Sequence, residues 1–170
     1  LNSVIAGADI LLLLYFGSVA IRKKSWPVGL LTVLQLSALL YILCIVPPDR
    51  AMQFMVDKLT VFMFLLINVI SGIIAIYSIQ YIDGEDCSAF RKKYFLSMLF
   101  WLIAVMNLIV SSDNMEYFFL FFELTTLASY LFIGFRKDTT AVKNAITALW
   151  MNQVGGLSIL AAIYFITINN

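Results

Sequence analysis

Apolar and polar positions do not alternate along this chain. Apolar residues continue for about twenty positions at a time and then stop at short polar punctuation. Six such runs are present: Ser3–Ile21, Trp26–Val46, Leu59–Ile82, Tyr94–Val110, Met115–Phe135 and Asn144–Ile168. Each is roughly the 17–25 residues an α-helix needs to cross the hydrocarbon layer. Strands of a membrane barrel would be about ten residues long and would alternate apolar with polar positions, so the pattern excludes them. In lipid each segment must satisfy its own backbone groups, and long apolar runs do so as helices. The expected fold is therefore all-α, a polytopic bundle of about six transmembrane helices forming a single transmembrane domain over residues 1–170. The first run is interrupted only by Asp9, expected near the outer end and partly solvated. The run does not have the form of a cleavable signal, because its basic cluster follows it.

The charges give the bundle a direction. Arg22, Lys23 and Lys24 follow run one, Arg91, Lys92 and Lys93 follow run three, and Arg136, Lys137 and Lys143 follow run five. The alternate connections carry only Arg50 and Lys58, then no basic residue at all. That odd–even bias puts connections one, three and five in the cytoplasm and the N-terminus on the outer side of a cell (inner) membrane. Trp26, Tyr77, Tyr81, Tyr94 and Tyr117 lie near run ends, where amphipathic rings favour the headgroup level.

Composition agrees with lipid as the solvent: 62% of residues are hydrophobic and 12% charged, and mean hydropathy is +0.96. The net charge of +1 gives no bias toward nucleic acid. The chain has no histidine, which excludes bis-His haem and Ser-His or Cys-His catalysis and removes most zinc sites. Its two cysteines, Cys44 in an apolar run and Cys87 in a polar loop, cannot hold an iron–sulfur cluster, which takes four thiolates. No cofactor and no metal are expected in this chain, and no chemistry of its own. Any redox centre would sit on another chain.

One residue stands apart. Glu123 lies about eight residues into run five, roughly 12 Å inside the membrane at the helical rise. A charge at that depth costs on the order of 2.5–3.5 kcal/mol on insertion scales, so such groups are rare and usually functional. Thr126, Leu127 and Tyr130 are its helical neighbours, and Thr125 and Ser129 add hydroxyls nearby. Burial disfavours the ionised form and an approaching cation favours it, so a site moving between those environments takes up and releases a proton. The bland alternative is a neutral glutamate locked to a neighbouring helix. Asn152 and Gln153 in run six could line a polar path with Thr126, Ser129 and Tyr130. The stripe Asn144, Ala148, Asn152, Gly156 reads first as helix packing, as does Asn68 with Gly72. Asp113-x-x-Glu116 matches a capping box at the start of run five, with an entry-side proton acceptor as the alternative for Glu116. Phe118, Phe119, Phe121 and Phe122 read as lipid- and packing-facing bulk.

The segment Asn114–Phe135, with Glu123 in Phe-Phe-Glu-Leu-Thr-Thr, resembles the fifth transmembrane helix of the antiporter-like subunits of respiratory complex I. Mrp cation/proton antiporters and energy-converting membrane-bound hydrogenases share that family. Asp57-Lys58-Leu59 resembles the family's entry to its third helix, Tyr77–Tyr81 the end of that helix, and Ala145–Gly156 its sixth. The resemblance covers about residues 55–165. It implies that Glu123 pairs with a lysine on a broken seventh helix and takes part in proton translocation. It also implies membrane subunits and a peripheral redox arm as partners, with proton or sodium as the ion. Many members carry Val-Gly-Asp where this chain has Val154-Gly155-Gly156, and Trp150–Gly156 leans toward the hydrogenase branch. Full-length members have about fourteen helices. The chain is then either the N-terminal part of a longer subunit or a shortened one, and is expected to be an ion-translocating subunit of a membrane redox complex, the alternatives being a non-transporting assembly subunit or an Mrp-type cation/proton antiporter subunit.

Overall fold

The structure, a computed structural model, describes residues 2–45, 54–84 and 88–169. It contains six long helices: α1 (Asn2–Lys23), α2 (Trp26–Ile45), α3 (Lys58–Asp83), α4 (Ala89–Ser111), α5 (Met115–Ile133) and α6 (Thr139–Asn169). Each is long and apolar enough to cross a membrane. Among the described residues the one β pairing is an isolated bridge between Phe54 and Ser112. The all-α polytopic bundle expected from the apolar runs is the observed fold. Pro47-Pro48, Arg50, Glu85, Asp86 and Cys87 lie outside the described residues.

Local chemistry sets the helix ends. At the end of α1, Lys24 takes a left-handed conformation (φ 50°). The Ser25 N–H then reaches back to the Ala20 carbonyl and the Lys24 N–H to Ile21, closing the helix in a Schellman motif. Pro27 falls in the first turn of α2, where its missing N–H is not needed. Asp57 caps α3, accepting from the Thr60 N–H at 2.7 Å and the Thr60 hydroxyl at 2.8 Å. Ser88 caps α4, so that helix begins five residues ahead of the apolar run and takes in Arg91, Lys92 and Lys93. Lys92 returns to α3, donating to the Asp83 carbonyl at 2.9 Å and pairing with its carboxylate at 3.6 Å.

The cap of α5 departs from the expected Asp113 capping box. Asn114 is the cap, its side chain accepting from the Glu116 N–H at 2.8 Å, and Asp113 is exposed outside the helix. With the helix starting at Met115, Glu116 is one position too early to reach back as a capping box requires. The run ends in a 3-10 turn, Gly134–Arg136, followed by left-handed Lys137 (φ 61°).

Successive helices run antiparallel. One end of the bundle gathers Arg22–Lys24, Arg91–Lys93 and Arg136–Lys143, and is called here the basic end. The far end holds the starts of α1, α3 and α5. Helices α1, α2, α6 and α5 close into a ring, each packed on the next. Leu13, Phe16, Val28, Phe119, Leu149 and Leu160 fill much of its interior. Helix α4 packs on the outside of α5, and α3 on α4, where Asn68 Nδ2 donates to Asn107 Oδ1 at 2.9 Å. That bond accounts for Asn68 as packing. The outlying α3 leaves apolar side chains such as Leu59, Leu65, Ile73 and Ile76 exposed, as a lipid-facing helix does.

The two bonds from Thr60, its backbone N–H first, hold the Asp57 carboxyl below the usual carboxylate range. A lowered folded-state pKa stabilises the fold fully above the unfolded value, about pH 3.9, and that contribution is lost as pH falls through the folded value. Asp57→Ala is therefore expected to melt below wild type in detergent at neutral pH. Thermal scans should show the gap closing only below about pH 4.

Candidate functional site

The interior of the four-helix ring is apolar except for one group of side chains: Asp9, Thr32, Gln35, Glu123, Thr126 and Gln153, all buried. They come from all four ring helices: Asp9 from α1, Thr32 and Gln35 from α2, Glu123 and Thr126 from α5, and Gln153 from α6. Glu123 is in the middle of α5, Gln35 in the middle of α2 and Gln153 in the middle of α6. Glu123 is fully buried, and its Oε1 accepts from Gln35 Nε2 at 2.9 Å. The same amide donates to the Gln153 backbone carbonyl at 3.2 Å. Gln153 Nε2 in turn donates to Thr32 Oγ1 at 2.8 Å, and that hydroxyl donates to the Val28 carbonyl at 2.8 Å. A polar string Glu123–Gln35–Gln153–Thr32 thus starts at mid-depth and points toward the basic end. Glu123 Oε2, Gln35 Oε1 and Gln153 Oε1 are buried without hydrogen-bond partners in the protein.

A glycine makes the junction possible. A Cβ at Gly156 would overlap Glu123 Oε1 and Gln35 Nε2. The carboxylate and the amide meet directly over the α6 backbone, in the space a side chain would occupy. Here Glu123 occupies that space, and no side chain fits. Gly155 is less constrained, because a Cβ there would meet the tip of the Phe122 ring at 3.0 Å, a side chain able to swing.

The residues singled out from the sequence divide into two groups. Gln153 joins Glu123 through Gln35. Thr126 is buried in the ring, but its hydroxyl donates to the Phe122 carbonyl of its own helix at 3.1 Å. Thr125 does the same at 2.7 Å. Tyr130 packs against the ring core and lines a cavity of about 450 Å³ at the basic end, together with Lys23, Arg91 and Lys137. Ser129 is half-buried about two-thirds of a turn around α5 from Glu123. Asn152 is half-buried at the flank of the packing face. That face of α6 runs through Ala145, Leu149, Gln153, Gly156 and Leu160, one residue over from the stripe starting at Asn144.

Three residues of this interior carried no weight in the sequence: Gln35, Thr32 and Asp9. Gln35 is an amide in the middle of run two, which was itself a signal of intramembrane pairing. Asp9, expected to be partly solvated, is 2% exposed. The reason is rotational. Ile5, Asp9, Leu13, Phe16 and Ala20 form one helical stripe, and α1 turns that stripe into the ring. Among the described residues no group of three or more acidic, cysteine or histidine side chains could hold a metal.

Comparison with known proteins bears on this arrangement. The family described as NADH-ubiquinone oxidoreductase (complex I), chain 5 N-terminus, matches residues 49–95. NADH-ubiquinone oxidoreductase chain 5 of Chondrus crispus is 35% identical over 114 residues, 66% of this chain and 16% of that protein. NADH-quinone oxidoreductase subunit L of Rhodobacter capsulatus is 29% identical over 127 residues, 70% of this chain and 18% of that protein. The chain is similar to the antiporter-like membrane subunits. Na(+)/H(+) antiporter subunit A1 of Staphylococcus haemolyticus joins them at 31% identity over 113 residues, 66% of this chain and 14% of its own length. The chain spans about a sixth of the length of these curated relatives. No solved structure matches it at a significant level.

The Gly156 geometry generates a stability prediction. Gly156→Ala forces the carboxylate and amide apart in a packed core, and overpacking of that kind costs roughly 1–3 kcal/mol. Gly155→Ala should cost less. Thermal unfolding of the two variants in the same detergent checks the order.

Proposed function

We propose that this chain is part of an ion-translocating subunit of a multi-subunit membrane complex, with Glu123 as the group that takes up and releases a proton. The observation that carries the reading is the state of that carboxyl. It is fully buried in the middle of the ring, with one oxygen on the Gln35 amide and the other without a partner. A mid-membrane carboxyl is expensive to bury and is retained where a proton or ion passes. A carboxyl with a free oxygen in a polar interior can exchange its proton with water that reaches it. The ring supplies no cation to draw the proton off, since among the described residues no lysine or arginine is buried. That cation comes from outside these helices, as the resemblance to the antiporter-like subunits implies.

The relatives' names, chain 5 and subunit L of NADH oxidoreductases and subunit A1 of a sodium/proton antiporter, support proton or sodium as the ion and membrane subunits as partners. A peripheral redox arm would drive the complex I-type assembly. The lean toward an energy-converting hydrogenase rests on Trp150–Gly156 alone. The gathering of basic residues at one end supports a cytoplasmic basic end and an N-terminus outside, in a cell (inner) membrane. Glu123's bond to Gln35 also fits the competing reading, a bracing subunit whose glutamate is locked to its neighbour.

Replacement in the intact complex separates the two readings. Glu123→Gln keeps the shape and can still meet Gln35, but it carries no exchangeable carboxyl proton. It is expected to abolish ion pumping while redox turnover persists in uncoupled vesicles, with Glu123→Asp retaining part of the pumping. Pumping unchanged in Glu123→Gln would leave the bracing role as the correct one.

A further inference from the structure

A second carboxyl is buried in the same ring. Asp9 is the eighth residue of α1, about two turns in from the far end, and is 2% exposed. Its Oδ1 has no hydrogen-bond partner in the protein. An orphaned carboxyl oxygen in an apolar bundle is costly, and its cause is found in what it faces. Asp9 lines a small, partly open space between α1, α2, α5 and α6, together with Glu116, Ala6, Leu39 and Phe119. The space has a volume of about 20 Å³. A cavity needs roughly 10–15 Å³ by the same measure, and at least two polar partners, to hold a water. Asp9 and Glu116 are two such partners.

Three carboxyls lie in the ring or at its edge, Asp9, Glu116 and Glu123. Glu116 is in the first turn of α5 and half-buried at the far end. Glu123 is two turns further along the same helix, roughly 10 Å deeper. Asp9, on the neighbouring helix, meets Glu116 across the small cavity. Asp9 and Glu123 are both buried in the ring interior, on the adjacent helices α1 and α5. The hydrogen-bonded string from Glu123 runs only the other way, through Gln35 and Gln153 to Thr32 and the basic end. Toward the far end Phe119 fills the ring, and the polar groups beside it are Asp9 and Glu116.

We propose that Asp9 is a second proton-carrying carboxyl, the relay between Glu123 and the aqueous face at the far end, with Glu116 at its mouth. This rests on the reading of Glu123 as a proton carrier. In the outward step the O–H bond of the Glu123 carboxyl breaks as an O–H bond forms on Asp9 Oδ1, directly or through water. One negative charge moves from Asp9 to Glu123. Asp9 then gives its proton to water in the small cavity, which passes one on to Glu116 and the bulk. Each transfer makes one O–H bond and breaks one, and no oxidant or reductant is consumed.

The test compares ions moved per redox turnover by the intact complex in sealed vesicles for Asp9→Asn, Asp9→Glu, Glu116→Gln and Glu123→Gln. Asp9→Asn fits the same space and holds no exchangeable carboxyl proton. It should slow pumping by about tenfold or more, with uncoupled redox turnover retained and Asp9→Glu partly restoring pumping. Glu116→Gln should slow it less, because water alone can serve at the mouth. If Glu123→Gln stops pumping and Asp9→Asn pumps as wild type, the relay is overturned and the role of Glu123 stands. If Glu123→Gln pumps normally, both fall. A second readout needs no variant and covers failure of Asp9→Asn to assemble. Dicyclohexylcarbodiimide, an apolar reagent that adds to protonated carboxyls, is applied to the wild-type complex and its adducts are mapped by mass spectrometry. The expected result is modification of Asp9 with loss of pumping in proportion. Modification of Glu123 without any of Asp9 would overturn the relay.

Discussion

A carboxyl group inside four apolar helices is the constraint around which this bundle is arranged. Removed from water, Glu123 needs hydrogen-bond donors at its own depth, and a helix cannot supply them from its own backbone. The donor is the Gln35 amide of α2, and that choice brings α2 against α5 at a fixed height. Gln35 also donates to the α6 backbone, so one amide ties three of the four ring helices together. Shifting any of them by one turn, about 5 Å, would leave the carboxyl facing aliphatic side chains.

The same constraint explains the composition of α6. Its packing face is Leu, Ala and Gly with one glutamine, because a larger residue at position 156 would stand where the carboxyl and the amide meet. Glycine in a transmembrane helix usually lets two backbones approach. Here it lets two polar side chains approach above the backbone. Four unpartnered oxygens, on Glu123, Gln35, Gln153 and Asp9, gather in the ring, and a fifth, Tyr117 Oη, lies in the cluster with Ile5 and Val105. The large, nearly all-apolar outer surface of α3 and α4 carries only the Asn68–Asn107 pair as polar glue at mid-membrane depth. Polar groups are thus concentrated where a proton could use them and nearly absent where lipid or another chain would touch.

The two halves of the ring are unlike. Toward the basic end the polar groups are neutral amides and a hydroxyl, joined by hydrogen bonds of 2.8 to 3.2 Å. Toward the far end they are carboxyls beside a small cavity, Asp9 within and Glu116 at the edge. Amides and hydroxyls conduct a proton only by rotating and exchanging hydrogen bonds, while carboxyls can hold it. Glu123 stands at the boundary between these two kinds of medium. The similarity to antiporter-like subunits, carried by the residues around and after position 49, adds a setting in which such a boundary is of use.

Much of this was legible along the chain. The number of spans, their ends within a few residues, their alternating direction and the depth of Glu123 all follow from the hydropathy and charge of each segment taken alone. Each is a partition of one segment between lipid and water, and no other segment needs to be consulted. The resemblance of Asn114–Phe135 to a known helix was legible for the same reason. What the sequence could not show is the azimuth of each helix and which faces meet. Gln35 is 88 positions from Glu123, and Asp9 faces the ring because α1 packs its Ile5–Ala20 stripe inward. The cap of α5 lies one position on from Asp113, because it is the Asn114 side chain that accepts from the Glu116 N–H. Partners of buried polar groups are chosen by packing across the whole bundle, and that information exists only once the helices stand side by side.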